Sequence, residues 1–265
     1  FTLQRANSDL EKADSVIKNF INQINDFYNV AKLDDYFIAY SPMYDQIENE
    51  IEKNLPKEDF IKELEEFYKK TNKSYTLCPS PIIFTGFGFA SYIETKKELE
   101  VINTFGRFDS LTTRIHNKEE LIESYGFGND KEIRNLTVHE FGHAFVNTIT
   151  QKPKNLIEIN KLEDLFNPIR KSMSNQGYSE WIYCFNEHLV RLGEIRIAQR
   201  LGDSLESKKL KNEYINELEF IYINNLLEII EDFEQDTADY MSFEDFLPKI
   251  LEYLSKIDSN SLKNE

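Results

Sequence analysis

Cysteine is scarce in this sequence, which holds only Cys78 and Cys184 among its 265 residues. Two thiols are too few for a disulfide-stabilised scaffold or for a metal site built from cysteine. We expect these residues to be separate buried thiols rather than the two halves of one bridge.

Long apolar runs are also missing. The longest, around Pro81–Ala90, is far shorter than the ~20 residues that a membrane-spanning helix requires. Basic residues are in the minority, with 31 Lys and Arg against 47 Asp and Glu, and the formal net charge is −16. They are mostly interleaved with acidic residues, so no basic stripe is available for a phosphate backbone. The sequence therefore excludes a transmembrane segment and argues against a nucleic-acid partner.

An initiator methionine and a signal segment are absent as well, since the chain begins at Phe1. We interpret it as a processed or trimmed product, which favours an extracytoplasmic location, periplasmic or secreted. Nothing in the sequence indicates an oligomeric state.

Aromatic residues, by contrast, are plentiful, and 20 Phe and 14 Tyr can fill a substantial core. The spacing of the apolar residues predicts a predominantly helical α+β protein. We divide it into an N-terminal helical region (1–75), a region with a small sheet (76–204) and a C-terminal helical region (205–265), together one compact unit.

The N-terminal spacing predicts a long amphipathic helix over 8–40 that ends at Ser41-Pro42. The next segment predicts a small antiparallel sheet, with a hairpin turn at Lys96-Lys97 and strands at 82–89, 91–95, 98–105 and 111–115. From 117 to the end only helices are predicted, over 129–148, 153–168, 179–201, 208–233 and 242–257. Asn129 or Asp130, Gly202 and Ser242 supply the end signals.

Two of the four histidines stand in the string His139-Glu140-Phe141-Gly142-His143. On a helix the two imidazoles lie one turn apart on one face, where they can bind one Zn²⁺. Glu140 can then reach a metal-bound water but not easily the metal itself. The pattern predicts a zinc site with Glu140 as general base. The alternative is a pair of surface histidines with no ligand role.

Two histidines leave a catalytic zinc one protein ligand short. A third histidine six residues after His143 is excluded, because that position is Ile149. A second helix must supply the ligand, and the segment 186–191 is the best candidate. Its Glu187 shares a helix face with Arg191 and Glu194 through spacings of four and seven residues.

Other carboxylates and a histidine remain alternatives to Glu187. His188 is a good zinc ligand by type, but its side chain points about 100° away from that of Glu187 on a helix. Glu180 and Glu194 are the remaining candidates.

The two helices resemble the gluzincin clan of zinc metallopeptidases, in which a Glu on a downstream helix completes the zinc site. The string from Gly177-Tyr178 through Asn186-Glu187 to Arg191 is similar to a bacterial family of uncharacterised gluzincin-like proteins regarded as exported. The resemblance covers roughly 111–201 and implies zincin-like active-site helices. It implies Glu187 as the third ligand, Glu140 as the general base and Tyr178 as a donor to the oxyanion. The clan often has an acidic residue where this chain has Arg191.

Several neighbouring residues have supporting roles in this interpretation. Arg191 is expected to form a structural ion pair, with a substrate carboxylate as the alternative partner. Asn147 and Asn186 can orient ligands through hydrogen bonds. His116, at a predicted strand end, is expected to be a surface or capping residue.

The sequence thus predicts a zinc-dependent hydrolase, most simply a metallopeptidase that acts on a peptide or protein substrate through an activated water. The substrate is expected to lie antiparallel along an exposed strand, for which 98–105 is the candidate. A zinc amidase with a non-peptide substrate is one alternative. The other is a non-catalytic helical interaction protein that retains a zinc site for stability.

Overall fold

The computed structural model describes residues 9–95, 98–116, 119–236 and 238–258. The chain divides into two compact units, 1–49 and 50–265. The described part is a predominantly helical α+β fold, as the sequence predicts. Its helices are α1 (Leu10–Val30), α2 (Leu33–Lys53), α3 (Phe60–Tyr68), α4 (Asp130–Thr150), α5 (Pro153–Asn160), α6 (Arg170–Asn175), α7 (Trp181–Arg200), α8 (Ser204–Asn212), α9 (Ile223–Gln235) and α10 (Phe243–Leu254). Its strands are β1 (Ser74–Pro79), β2 (Gly88–Thr95), β3 (Glu98–Phe105), β4 (Thr112–His116) and β5 (Glu119–Ser124).

The first unit is helical, but its helices are not divided as the sequence predicts. Asp9 caps α1 by accepting a hydrogen bond from the Lys12 amide at 3.0 Å. The break comes at Lys32, whose φ of 51° is left-handed, and the chain re-enters a helix at once. Pro42 lies inside α2, so the predicted end at Ser41-Pro42 was wrong. The left-handed residue redirects the chain at Lys32, whereas α2 continues through Pro42 despite the lost hydrogen bond and the clash of the proline ring with the preceding turn.

The second unit contains a three-stranded sheet in the order β1-β3-β2. The pair β2 and β3 is antiparallel, with Ala90 opposite Asn103, whereas β1 runs parallel to β3, with Thr76 opposite Ile102. The sheet is therefore mixed: the predicted antiparallel pairing holds for β2 and β3 but not for β1 and β3. Strand β3 is central, so the predicted exposed strand 98–105 is paired on both sides, and β1 and β2 form the two edges.

The predicted strand 82–89 is mostly a loop. The Gly86 amide donates to the Arg107 carbonyl at 2.8 Å, and Gly86 itself has a φ of 71° that suits glycine. The residues around the predicted turn at Lys96-Lys97 form the hairpin β2–β3, although Lys96 and Lys97 themselves lie outside the described residues.

A second sheet, the antiparallel pair β4 and β5, corrects the prediction that everything after 117 is helical. Strand β5 holds the adjacent apolar residues Leu121 and Ile122, too short a signal to oppose the helical pattern around it. The predicted helix 208–233 is also interrupted. It ends in a π-helical turn at Glu213–Glu217 and resumes at α9, after Glu219 with a φ of 59°.

The core of the second unit lies between α4 and α7, which are buried on most of their faces. Tyr68 of α3 inserts between them and stacks on Phe145, with the ring centroids 4.8 Å apart. It fits because the facing position on α7 is glycine: a Cβ at Gly193 would lie 2.4 Å from the Tyr68 hydroxyl. Gly142 serves the approach of α4 to α7, since a Cβ there would lie 3.2 Å from Val190.

The two cysteines are both free, Cys184 buried and Cys78 exposed. The expectation of separate thiols is confirmed, although Cys78 is not buried. In the part of the chain that the structure describes, no helix is long and apolar enough to cross a bilayer.

Candidate functional site

Helix α4 carries the histidine pair. It begins after Asn129, whose side chain accepts a hydrogen bond from the Glu132 amide at 3.1 Å, as its capping position predicts. Buried apolar residues on α4 pack against the rest of the unit, and they hold His139 and His143 side by side at the wall of a cleft.

Helix α7 brings the third side chain to the same point. It runs unbroken from Trp181 to Arg200, and Gly202, with a φ of 82°, follows its end as predicted. Glu187 is buried in the first half of this helix and faces α4. The structure therefore brings together His139, His143 and Glu187, a group whose ligand atoms all lie within 4.8 Å of one another and which could hold a metal ion.

The distances within this group match the edges of a tetrahedral metal site. The two Nε2 atoms of His139 and His143 lie 3.3 Å apart. Glu187 Oε1 lies 3.2 Å from His143 Nε2, and Glu187 Oε2 lies 3.8 Å from His139 Nε2. Ligand atoms at ~2.0–2.2 Å from a tetrahedral zinc are about 3.3–3.5 Å apart. A single ion could therefore satisfy all three residues with little rearrangement.

The second ring nitrogen of His139, Nδ1, is hydrogen-bonded to Glu194. The Glu194 Oε2 atom lies 2.9 Å from His139 Nδ1, and its Oε1 atom accepts a hydrogen bond from the Tyr214 hydroxyl at 2.8 Å. A proton on Nδ1 then donates to Glu194, which leaves the Nε2 lone pair for a metal. Glu194, a candidate ligand by sequence, is therefore not part of the group that could hold a metal ion, and it instead orients the His139 ring.

The charges in this cluster shift the pKa values of its members. Burial lowers the pKa of His139, but the carboxylates of Glu194 and Glu187 outweigh it and raise the pKa to about 9. Burial would raise the pKa of Glu187, but the hydrogen bond from His143 and the charges of His139 and Arg191 lower it to about 2. In the metal-free protein the cluster is therefore a protonated imidazole beside an ionised carboxylate.

Glu140 lies one residue along α4 and is also buried. The backbone N–H of Ala90, on the edge strand β2, donates a hydrogen bond to its carboxylate. Burial raises the pKa of Glu140, against the opposing charges of His139 and His143. Glu140 is therefore a carboxylate of increased basicity, fixed between the histidine pair and the free edge of the sheet.

Tyr178 and Arg191 complete the polar surface of the site. The Tyr178 phenol shares hydrogen bonds with the side chains of Glu187 and Arg191, and burial raises its pKa to about 12, so it stays protonated at neutral pH. Arg191 Nη2 lies 3.5 Å from Glu187 Oε2, the structural ion pair that the sequence predicts. Its guanidinium lies 4.5 Å from the ring centroids of Tyr214 and Phe220.

The other candidate ligands lie apart from this group. His188 is buried on another face of α7, where its Nδ1 donates to the Cys184 carbonyl at 2.8 Å. Burial lowers the pKa of His188 to about 4. Glu180 is exposed at the start of α7, and His116 is exposed on β4. The Oδ1 atoms of Asn147 and Asn186 are buried without a hydrogen-bond partner among the described residues, so their predicted orienting role stays a prediction.

Two contributors to the site were not predicted. Tyr214 comes from the π-helical turn after α8, and its own sequence context gives no signal of this role. The Ala90 amide acts through the backbone, which a side-chain pattern cannot report. The seven-residue spacing of Glu194 from Glu187 did place it on the correct helix face.

A cleft of about 770 Å³ opens over these residues. One wall is formed by Phe87, Phe89 and Ala90, at and just before β2, and another by Tyr214 and residues of α8. The histidine pair and Glu140 lie at its base. The arrangement can bind a divalent cation and present a buried base to a molecule in the cleft.

Comparison with known proteins gives a family but no activity. The chain belongs to the family described as a domain of unknown function (DUF4932), which matches residues 3–253. No curated protein and no solved structure matches the chain.

Proposed function

We propose that this member of the DUF4932 family is a zinc-dependent hydrolase that cleaves peptide bonds. The observation that carries the proposal is the convergence of His139 Nε2, His143 Nε2 and a Glu187 carboxylate oxygen, with inter-ligand distances of 3.2–3.8 Å. The resemblance of the two helices to the gluzincin clan agrees with it.

The residues present fit a zinc ion. Two imidazole nitrogens and one carboxylate are a usual catalytic donor set, and the buried Glu187 Oε2 atom lacks a hydrogen-bond partner among the described residues. A zinc ion held there would supply a water of lowered pKa and polarise the substrate carbonyl. Metals that prefer all-oxygen sites, such as Mg²⁺, suit this donor set poorly.

Glu140 is the general base in this proposal. It takes a proton from the attacking water and returns it to the leaving amine, a role that needs a base near the reacting water but outside the ligand set. Burial raises the pKa of Glu140 and so makes it a stronger base for the first of these proton transfers. The Ala90 N–H supports its orientation.

Tyr178 is the donor to the developing oxyanion. Its pKa, raised to about 12 by burial, keeps its proton in place at neutral pH, and its hydrogen bonds to Glu187 and Arg191 hold the phenol at the site. Arg191 offsets the negative charge of Glu187, which it contacts.

The substrate lies along β2. Among the described residues β2 has no partner strand on its outer side, and its Ala90 contacts Glu140. An extended peptide that adds to this edge would carry a backbone carbonyl past the general base.

The experiment combines metal analysis with turnover. The full chain loaded with zinc should cleave a denatured protein mixture, whereas Glu140→Gln should retain zinc and lose at least about 10²-fold in rate. Zinc bound equally by both proteins, with no cleavage by either, would favour a non-catalytic scaffold. Loss of zinc in Glu187→Ala but not in His188→Ala would identify the third ligand.

A further inference from the structure

An apolar strip on the outside of the sheet leads away from the cleft. It comprises Ile82 and Phe84 in the β1–β2 loop, Phe87 just before β2, and Phe89 and Ile93 on β2. Ile82 and Phe84 are 88% and 84% exposed, and the other three are about half exposed. Exposed large apolar side chains in a contiguous segment mark interaction sites.

The loop that bears the strip is fixed by its backbone. The Ser80 amide donates to the Phe105 carbonyl at 2.7 Å, and the Gly106 amide donates to the Phe87 carbonyl at 2.9 Å. A Cβ at Gly106 would lie only 2.2 Å from the Phe84 carbonyl oxygen, so the loop rests directly on that glycine. These contacts therefore fix the backbone of the loop that carries the exposed apolar side chains.

Strand alternation decides which way the side chains of β2 point. A Cβ at Gly88 would meet Leu136 of α4 at 3.1 Å, so the even-numbered positions face the core helix. Phe89 and Ile93 point to the opposite, open face of the sheet. Residues of a strand added at the β2 edge would alternate in the same way. On the open face their side chains would lie beside Phe89, Ser91 and Ile93 in turn, so the two apolar neighbours are four residues apart.

We propose that the apolar strip binds alternate apolar side chains of an extended peptide substrate that pairs with the free edge of β2, an inference that rests on the proposed function. Continuity argues for this occupant, because Phe87 and Phe89 belong both to the strip and to the cleft that contains Glu140. The positions of Phe87, Phe89 and Ile93 differ by even numbers of residues, as those of side chains on one face of an extended chain do. The net charge of −16 disfavours the anionic lipid surface that could otherwise accept such a loop.

The substrate preference is the first measurement. Cleavage sites produced by the zinc-loaded full chain in a denatured protein mixture are mapped by mass spectrometry. We expect large apolar residues to be enriched at two positions four residues apart, the spacing of Phe89 and Ile93 on β2. A peptide copied from a preferred site is then compared with a counterpart that has alanine at those two positions.

The variants Phe89→Ser and Ile93→Ser test the strip itself. Each should reduce the ratio of kcat/KM for the apolar peptide to that for the alanine peptide by about three- to fivefold, through KM. Ile115→Ser, at an isoleucine that is 82% exposed on β4, is the matched control and should leave the ratio unchanged. Equal ratios in all of these proteins would overturn the inference and leave the hydrolase intact.

A peptide-binding measurement tests the apolar strip independently of peptide cleavage. If the protein mixture is not cleaved, the proposed function fails. Fluorescence anisotropy with two labelled synthetic peptides, one with apolar residues at two positions four residues apart and one with alanine there, then tests the strip directly. Tighter binding of the apolar peptide, weakened by Phe89→Ser, supports the strip. Equal binding of both peptides refutes the proposal for the strip. Without any peptide preference, two other results also refute it: binding to phosphatidylcholine–phosphatidylglycerol vesicles that depends on Phe84, or dimerisation that depends on Phe84.

Discussion

Glu194 is a buried carboxylate that lies beside the group that could hold a metal ion without belonging to it. It accepts from His139 Nδ1 and from the Tyr214 hydroxyl at the same time, which fixes both its own rotamer and the imidazole ring. Arg191 stacks on the same tyrosine ring and carries the opposite charge. The order of this cluster therefore depends on residues from α7 and from the turn after α8.

Glu194→Gln should weaken zinc binding by about 10–100-fold, because a neutral amide is a poorer acceptor for the His139 N–H. Competition with a chromophoric chelator measures the affinity. Glu180→Gln, an exposed glutamate at the start of the same helix, is the control and should bind zinc like the wild type. Equal affinities for both variants would mean that Glu194 does not act through His139.

Zinc affinity should rise with pH up to about 9. The metal needs a neutral imidazole, and the pKa of His139, lowered by burial but raised more by Glu194 and Glu187, is about 9 in the metal-free protein. Below that pH the metal displaces one proton from His139, so affinity should increase about tenfold per pH unit. Titrations with zinc at pH 6, 7 and 8 check this, and a constant affinity across that range would contradict it.

The raised pKa of His139 also makes the stability of the metal-free protein depend on pH. A pKa raised from the ordinary value of 6.5 to about 9 means that the folded state holds the His139 proton more tightly than the unfolded chain does. This contribution to stability is fully present below pH 6.5 and is lost as the pH rises through about 9. Glu187, with its pKa lowered to about 2, contributes above pH 4.5 and loses its effect as the pH falls towards 2.

At the scale of elements, the close approach of α3, α4 and α7 depends on glycine. Gly193→Ala should lower the free energy of unfolding by about 1–3 kcal/mol, because the new Cβ would lie 2.4 Å from the buried Tyr68 hydroxyl. Urea unfolding measures the loss.

Tyr68→Phe provides the matching control for this prediction. It removes the hydroxyl that the added methyl group would meet, and that hydroxyl has no hydrogen-bond partner among the described residues. The double variant should therefore recover most of the stability lost in Gly193→Ala. An equal loss in the single and double variants would show that helix packing, rather than this contact, is the cause.

The position of an edge strand is also decided at this scale, by the way in which the strands pair. Because β3 is central, β1 and β2 are the two edges of the sheet, and β2 is the edge that lines the cleft, where the amide of Ala90 contacts Glu140. Helix α4 and this edge thus meet at Glu140, which links the general base of the proposed function to the place where an extended substrate can pair.

At the scale of the whole molecule, zinc should act as a structural ligand of the folded state. The ion would connect α4 to α7, and these helices form the centre of the second unit. Only the folded chain brings the three ligands together, so zinc at about 100 times its Kd should stabilise the protein by about 2.7 kcal/mol.

Differential scanning fluorimetry of the chelator-treated full chain, with and without zinc, measures this effect. We expect an increase of several degrees in the midpoint, which His139→Ala should abolish. Mg²⁺ at the same concentration should have no effect, because it prefers oxygen ligands. An unchanged midpoint with zinc would contradict the proposed ligand set.

The sequence alone determined the features that rest on local geometry. A helical repeat places His139 and His143 on one face and puts Glu187 and Glu194 on one side of α7, whatever surrounds them. The caps at Asn129 and Ser242 are local in the same sense, since each bonds a backbone amide three residues away.

Only the tertiary structure determined the features that depend on contacts between segments distant in the sequence. It placed β2 rather than β3 at the sheet edge that lines the cleft, and it put Glu194 against Nδ1 of His139 rather than in the group that could hold a metal ion. It also fitted Tyr68 against Gly142 and Gly193. Hydrogen bonds between near neighbours fix the pitch of a helix, whereas strand order and helix contacts follow from how the whole chain buries its apolar surface.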